Sequence, residues 1–269
     1  MIQKQENKQI TPVNQMKNLL ANQGLQNLFA DVLKENKDRF IASIIDLYNG
    51  DSNLQKCDPK EVIMEALKAA TLNLPINKNL GYAYIVPFKN KNKLTPQFII
   101  SYKGYIQMAQ RSGQYKALNA GIMYEGMELK KDYLRGTFEI IGEPKSDKAI
   151  GYFAYFQLLN GYEKAIFMTK DQVTDHAKRY SQAYGSDYSP WKKQFDDMAQ
   201  KTVIKRILSK YGVLTTEFQD AVKEEEDREV LRATENNAML EMTGPDEEET
   251  IEVNPETGEI IEEDVKAPF

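Results

Sequence analysis

The sequence predicts an α+β fold in which helices precede and follow a small β-sheet. In the first eighty residues, apolar side chains recur at spacings of three and four, the pattern of amphipathic helices. From residue 81 the pattern changes to short runs rich in β-branched and aromatic residues, and after residue 169 the helical spacing returns. This order predicts a small antiparallel β-sheet backed by a helix, flanked by N-terminal helices and a C-terminal helical segment.

The N-terminal helices are predicted from apolar stripes and one strong start signal. Stripes run through residues 13–33 and 40–48. Asp58 starts a further helix, because its carboxylate can accept hydrogen bonds from the exposed backbone amides of the first turn. Pro59 suits the first helical position. Pro75 ends that helix.

Short β-rich runs predict the strands. The runs 82–86 and 98–100 flank a basic loop, which predicts an antiparallel pair. Asn160-Gly161 is the clearest hairpin turn. Further strands are predicted at 115–124, 137–141, 150–158 and 164–168, and further helices at 103–111, 171–179 and 190–211.

Charge divides the chain into a basic body and an acidic tail. Residues 1–221 carry 31 Lys and Arg against 23 Asp and Glu, whereas residues 222–269 carry 4 against 17. We therefore expect three segments, at 1–80, 81–221 and 222–269. Residues 223–240 can form a polar helix, and from Thr243 the composition predicts a largely disordered tail. A solubilising tail is the simpler interpretation, and a docking segment is the alternative.

The composition excludes several classes of protein. A single cysteine and a single histidine leave no Cys/His zinc site and no Cys–His nucleophilic pair. The sequence contains neither GxxxxGK[ST] nor GxGxxG, so we expect no nucleotide cofactor. No apolar run approaches the roughly 18 residues that span a bilayer, and the polar start lacks the apolar region of a signal peptide. We therefore expect a soluble, cytoplasmic protein with no membrane partner.

Cations and aromatic residues are interleaved in residues 66–124, a stretch with no Asp or Glu. Single-stranded nucleic acid needs both, because cations follow the phosphates and aromatic faces stack on bases at about 1–3 kcal/mol each. The alternative is structural, with half of the aromatic side chains in the core of the sheet and the lysines on a solvated face. The cations are Lys68, Lys78, Lys89, Lys91, Lys93, Lys103, Arg111 and Lys116.

A second basic and aromatic cluster lies in residues 176–210. Lys201 and Lys205 are one helical turn apart and repel each other, a destabilisation that an anionic partner converts into attraction. This spacing favours a phosphate contact. Trp191 has two interpretations, a core anchor or a residue that stacks on bases.

Carboxylates test the main enzymatic alternative, a metal-dependent nuclease, which needs acidic residues that converge on cations. Asp196 and Asp197 are adjacent on a predicted helix and cannot both point at one metal. Asp171 and Asp175 are one turn apart, but they fit better as charges near a helix N-terminus. The sequence therefore predicts no catalytic residue and no metal site.

Two separated motifs carry a resemblance to a known family. The first is ISYKGYI at 100–106, followed by AQRSG at 109–113. The second is Pro190-Trp191 followed by FDDMAQKTVIKR at 195–206. These stretches resemble the two signature stretches of the RecT family of single-strand annealing proteins, and the resemblance covers about residues 15–215. Lys103 stands where many relatives have arginine, which keeps the charge but gives up bidentate phosphate binding.

The resemblance implies an ATP-independent phage or prophage recombination protein in the cytoplasm of a bacterial host. Such a protein coats single-stranded DNA, pairs it with a complementary strand and holds the annealed duplex in an outward basic groove. The resemblance also implies a homo-oligomer, a ring or a helical filament, in which residues 1–80 make the oligomer contacts and residues 81–221 form the annealing core. Its implied partners are a host single-strand-binding protein and a companion exonuclease, and the acidic tail either docks one of these or competes with DNA.

The predicted DNA-binding residues follow from the two motifs and the two basic clusters. Lys103 and Arg111 are the expected central phosphate ligands, and Lys116 continues their track. A second wall comprises Lys178, Arg179, Lys192, Lys201, Lys205 and Arg206. Candidate stacking or wedge residues are Tyr102, Tyr105, Tyr180 and Trp191. A single-strand-binding module that protects nucleic acid without annealing it is the alternative function.

Overall fold

The computed structural model describes residues 11–90, 93–181, 184–185 and 189–242, and its described part has the predicted α+β arrangement. The predicted disorder from Thr243 onward lies outside the described residues. The N-terminal helices are α1 (Pro12–Leu20), α2 (Gln23–Leu33), α3 (Lys37–Asn49) and α4 (Pro59–Thr71). The Asp58 carboxylate accepts a hydrogen bond from the Lys60 amide at 2.8 Å, which confirms the predicted start of α4.

The strands in the described part of the chain form three small antiparallel sheets. Strands β1 (Ala83–Asn90) and β2 (Lys93–Ile100) pair as predicted. A three-stranded sheet contains β3 (Tyr115–Tyr124), β6 (Ala149–Leu158) and β7 (Glu163–Thr169) in the order β3-β6-β7. Strands β4 (Glu128–Asp132) and β5 (Thr137–Ile141) form a separate hairpin. The sequence did not predict β4, because this mostly exposed and charged strand lacks an alternating apolar pattern.

The remaining helices are α5 (Tyr102–Arg111), α6 (Lys170–Tyr180), α7 (Pro190–Lys193), α8 (Phe195–Tyr211) and α9 (Thr216–Met242). Two differ from the prediction. The expected single helix at 190–211 is broken at Gln194, whose φ of −141° and ψ of 52° are not helical. Helix α9 begins at Thr216, ahead of the predicted polar segment, because Phe218 and Val222 are buried in the core.

Helix α8 backs the three-stranded sheet and also contacts α5 and α9. Ala199, Val203 and Ile207 of α8 are spaced four residues apart, and each is 0% exposed. Ile204 and Leu208, on another side of the helix, are equally buried. One continuous cluster of buried side chains includes residues of α1, α8 and α9. Because other elements cover α8 on several sides, some of its polar side chains are buried as well.

Gly104 allows α5 to lie against the end of the β1–β2 pair. A Cβ atom at this position would overlap the backbone oxygen of Tyr82. We therefore expect Gly104→Ala to lower the free energy of unfolding by about 1–3 kcal/mol, measured by urea denaturation. Gly185→Ala is the control, because no atom of the described residues lies within 4 Å of a Cβ at that position. Equal unfolding free energies for the two variants would contradict the tight approach.

Candidate nucleic-acid interface

Two lysines of the second predicted cluster are paired with the acidic helix α9. The Lys201 ammonium lies 2.5 Å from a Glu225 carboxylate oxygen, and the Lys205 ammonium lies 2.7 Å from Glu229. Lys201 and Lys205 are only 8% and 7% exposed. The anionic partner that their one-turn spacing predicts is therefore present within the chain. Contact of these lysines with nucleic acid stays a prediction.

Glu225 is the centre of this contact. Its second carboxylate oxygen accepts a 2.5 Å hydrogen bond from the Tyr105 hydroxyl. Burial by itself raises the pKa of Glu225. The charges of Lys201 and Lys205, together with the hydrogen bonds from Lys201 and Tyr105, outweigh this effect and lower the pKa to about 2. The carboxylate is therefore ionised at neutral pH, and it binds the Lys201 ammonium and the Tyr105 hydroxyl.

A third lysine, which the predicted site omits, joins the same contact. Lys68 of α4 forms ion pairs with Glu65, at 2.9 Å, and with Glu224 of α9. The α9 contact, as we call it below, thus comprises Lys68, Tyr105, Lys201 and Lys205 on the body and Glu224, Glu225 and Glu229 on α9.

His176 of α6 borders the α9 contact. Burial lowers the pKa of His176; Glu229 raises it, and the charges of Lys205 and Arg206 lower it. The imidazole is thus largely neutral at pH 7 and adds little charge to the surface.

Other predicted cations remain on the surface. Lys103 of α5, Lys116 of β3 and Lys178 of α6 are exposed, and none has a carboxylate partner among the described residues. Helix α5 packs against β3, so Lys103 and Lys116 lie on neighbouring elements. The side chains of Arg179, Lys192 and Arg206 are exposed as well. With Arg111, which is exposed as well, these residues are the fully exposed part of the predicted set.

The RecT family model matches residues 38–239. The chain belongs to the RecT family. It is 46% identical over 228 residues to the uncharacterized protein YqaK of Bacillus subtilis strain 168, a match that covers 83% of this chain and 78% of YqaK. It is 32% identical over 181 residues to protein RecT of Escherichia coli strain K12, covering 64% and 65% of the two chains.

Membership of the RecT family implies single-strand annealing in DNA recombination. The match extends past residue 215, where the resemblance read from the sequence ends, and includes α9 up to residue 239. The three α9 carboxylates that hold lysines therefore belong to the RecT-family region. The feature of the sequence that points to two of these carboxylates is their spacing. Glu225 and Glu229 are four residues apart, as are Lys201 and Lys205.

Arg111, an expected phosphate ligand of this RecT-family chain, has a structural contact. Its guanidinium donates to the backbone oxygens of Leu72, at 2.7 Å, and Asn73, at 3.2 Å. These residues follow the C-terminal end of α4, where helix carbonyls lack partners and the dipole favours a cation. Its phosphate contact stays a prediction.

The four candidate stacking residues differ in exposure. Tyr105 is 0% exposed and its ring centroid lies 5.6 Å from that of Phe218. Trp191 is 6% exposed and meets Phe195 edge-on at 5.5 Å, which favours the core-anchor interpretation. Tyr102 and Tyr180 are half-buried. These last two tyrosines are thus the more accessible candidates for contact with bases.

The described residues contain neither a membrane-spanning helix nor a cluster of metal ligands. No helix in the described part of this RecT-family chain is long and apolar enough to cross a membrane. Within the same residues, no group of three or more His, Cys, Asp or Glu side chains is arranged to hold a metal ion. Asp196, considered above as a metal ligand, instead accepts a 2.6 Å hydrogen bond from the Tyr152 hydroxyl.

Proposed function

We propose that the protein binds single-stranded DNA through its exposed cations and anneals it to a complementary strand without ATP. The observation that carries this proposal is the set Lys103, Lys116 and Lys178, exposed cations without a carboxylate partner among the described residues, within a RecT-family chain. Cations on a surface bind the phosphate backbone regardless of sequence. An annealing protein has to accept any complementary pair, so this kind of contact suits it.

The proposed mechanism is physical and needs no catalytic residue, metal or cofactor. Neutralised phosphates no longer repel each other, so two complementary strands meet more often. The stability of the duplex product then drives the reaction. Tyr102 and Tyr180 supply stacking surfaces in this proposal, because a half-buried ring keeps one part free for a base.

The proposal includes assembly and partners. An array of protomers, a ring or a helical filament, contacts many phosphates of one strand at once. The strand therefore binds the array far more tightly than it binds one protomer. In this assembly, residues 1–80 make the protomer contacts, residues 81–221 anneal the DNA and residues 222–269 form an acidic regulatory segment. The proposed setting is phage or prophage recombination in the cytoplasm of a bacterial host, with a single-strand-binding protein and a companion exonuclease as partners.

The test is an annealing assay with two complementary oligonucleotides that carry donor and acceptor dyes. Without ATP, we expect protein to accelerate pairing strongly once enough is present to coat the strands. If each protomer holds about four phosphates, log affinity for a single strand should fall with log salt at a slope near −3.

The other outcomes identify the alternatives. Tight binding of single strands without faster pairing would contradict annealing and leave a protecting module. Cleavage of the labelled DNA on addition of magnesium would contradict the non-enzymatic mechanism and support a nuclease.

A further inference from the structure

The α9 contact matches two charged pairs in the same register. Lys201 and Lys205 stand one turn apart on α8, and Glu225 and Glu229 stand one turn apart on α9. Each lysine therefore meets one carboxylate. Carboxylates and phosphates are both oxyanions that accept charge-assisted hydrogen bonds from lysine. Two lysines that bind two neighbouring carboxylates can therefore also bind two successive phosphates of a nucleic-acid strand.

Helix α9 is attached to the body in two different ways. At its start, Phe218 and Val222 are 2% and 3% exposed and belong to the core. Further along, Val230 and Leu231 are 60% and 66% exposed. Between these two regions the described contacts of α9 with the body are dominated by its carboxylates. The first turns are thus held by apolar burial, and the segment from 224 to 231 is held mainly by charge.

Charge contacts and apolar contacts respond differently to a polyanion. A DNA strand brings many phosphates to the same surface and competes for the lysines, whereas it offers nothing that replaces Phe218 or Val222 in the core. The exposed cation Arg206 follows Lys205 in the chain. A strand bound along the exposed surface would therefore reach the edge of the α9 contact before it displaces a carboxylate.

We propose that Lys68, Lys201 and Lys205 form a further phosphate-binding site, which the carboxylates Glu224, Glu225 and Glu229 of α9 occupy until a nucleic-acid strand displaces them. This inference rests on the proposed function and adds to it a covered site and the segment that covers it. Residues 224–231 act as an internal competitor, so they lower the affinity for short or isolated strands. Displacement also frees the Tyr105 hydroxyl from Glu225, while the Tyr105 ring stays packed against Phe218.

The direct test removes the carboxylate charges and keeps the helix. The full-length variant Glu225→Gln/Glu229→Gln should bind a single-stranded oligonucleotide about tenfold more tightly than wild type at about 50 mM salt. In both proteins the bound strand contacts the same two lysines, so the slope of log affinity against log salt should stay close to the wild-type slope. The matched control is Glu226→Gln/Asp227→Asn, which changes the net charge equally at two exposed positions of the same helix.

The gain must depend on the lysines that the carboxylates cover. Adding Lys201→Gln/Lys205→Gln to the Glu225→Gln/Glu229→Gln variant should remove the gain in affinity and make the slope shallower by about 1.4, because two phosphate contacts are lost. If the control variant gains as much affinity as Glu225→Gln/Glu229→Gln, the effect is general charge and the proposed site is wrong. If wild type and all variants fail to bind DNA, the proposed function itself is wrong.

A measurement on the unmodified protein covers the case in which the variant does not fold. Backbone amide hydrogen exchange of residues 224–231 should become faster when a saturating single-stranded oligonucleotide is bound, while exchange at 216–222 stays unchanged. Unchanged or slower exchange at 224–231, with DNA bound, would overturn the displacement.

Discussion

Replacement of Trp191 by alanine should lower the free energy of unfolding by about 3–5 kcal/mol, the range for large aromatic side chains removed from a core. Trp191 is 6% exposed, and its ring meets Phe195 at 5.5 Å and Tyr184 at 6.5 Å. The variant loses these contacts and leaves a cavity between α7 and α8. Urea denaturation of the full-length protein measures the change.

Two controls separate the core role of Trp191 from a role in base stacking. Tyr133→Ala removes an aromatic side chain that is 87% exposed, and it should change stability by less than about 0.5 kcal/mol. Trp191→Phe should recover most of the stability that alanine loses. A Trp191→Ala protein with wild-type stability and weakened binding of single strands would contradict the core assignment and restore the stacking one.

The sequence predicts those parts of the fold that local signals determine. Asp58 and Pro59 predict the start of α4, because capping involves only neighbouring residues. The break at Gln194 could not be predicted, since the sequence on both sides of it favours helix and no glycine or proline marks the interruption. Strand β4 was missed for the opposite reason, because an exposed hairpin strand carries no apolar pattern.

The candidate site shows the same division. The spacing of Lys201 and Lys205 predicts an anionic partner, but not that α9 of the same chain supplies it, because this pairing depends on how distant helices pack. The contact of Arg111 with the end of α4 joins residues 38 and 39 positions apart. No local pattern reports such a contact. Lys103, Lys116 and Lys178 are simpler, since the exposure expected of a lysine is what the structure shows; their contact with DNA stays a prediction.

The variant Lys103→Gln/Lys116→Gln/Lys178→Gln should lose affinity for a single-stranded oligonucleotide by a factor on the order of 10² at about 50 mM salt. If each lysine neutralises one phosphate, its loss makes the slope of log affinity against log salt shallower by about 0.7, and the three together by about 2. These side chains have no carboxylate partner among the described residues, so the variant should keep wild-type stability. Binding at several salt concentrations and urea denaturation measure the two effects.

The matched control is Lys17→Gln/Lys60→Gln/Lys130→Gln, which removes the same charge from three exposed lysines outside the predicted set. It should retain most of the affinity and nearly the wild-type slope, because a general loss of positive charge acts only at long range and is screened within about 10 Å at 0.1 M salt. Equal losses in the two variants would mean that DNA binding follows net charge rather than the predicted surface. A weakened slope confined to the first variant would instead locate phosphate contacts on α5, β3 and α6.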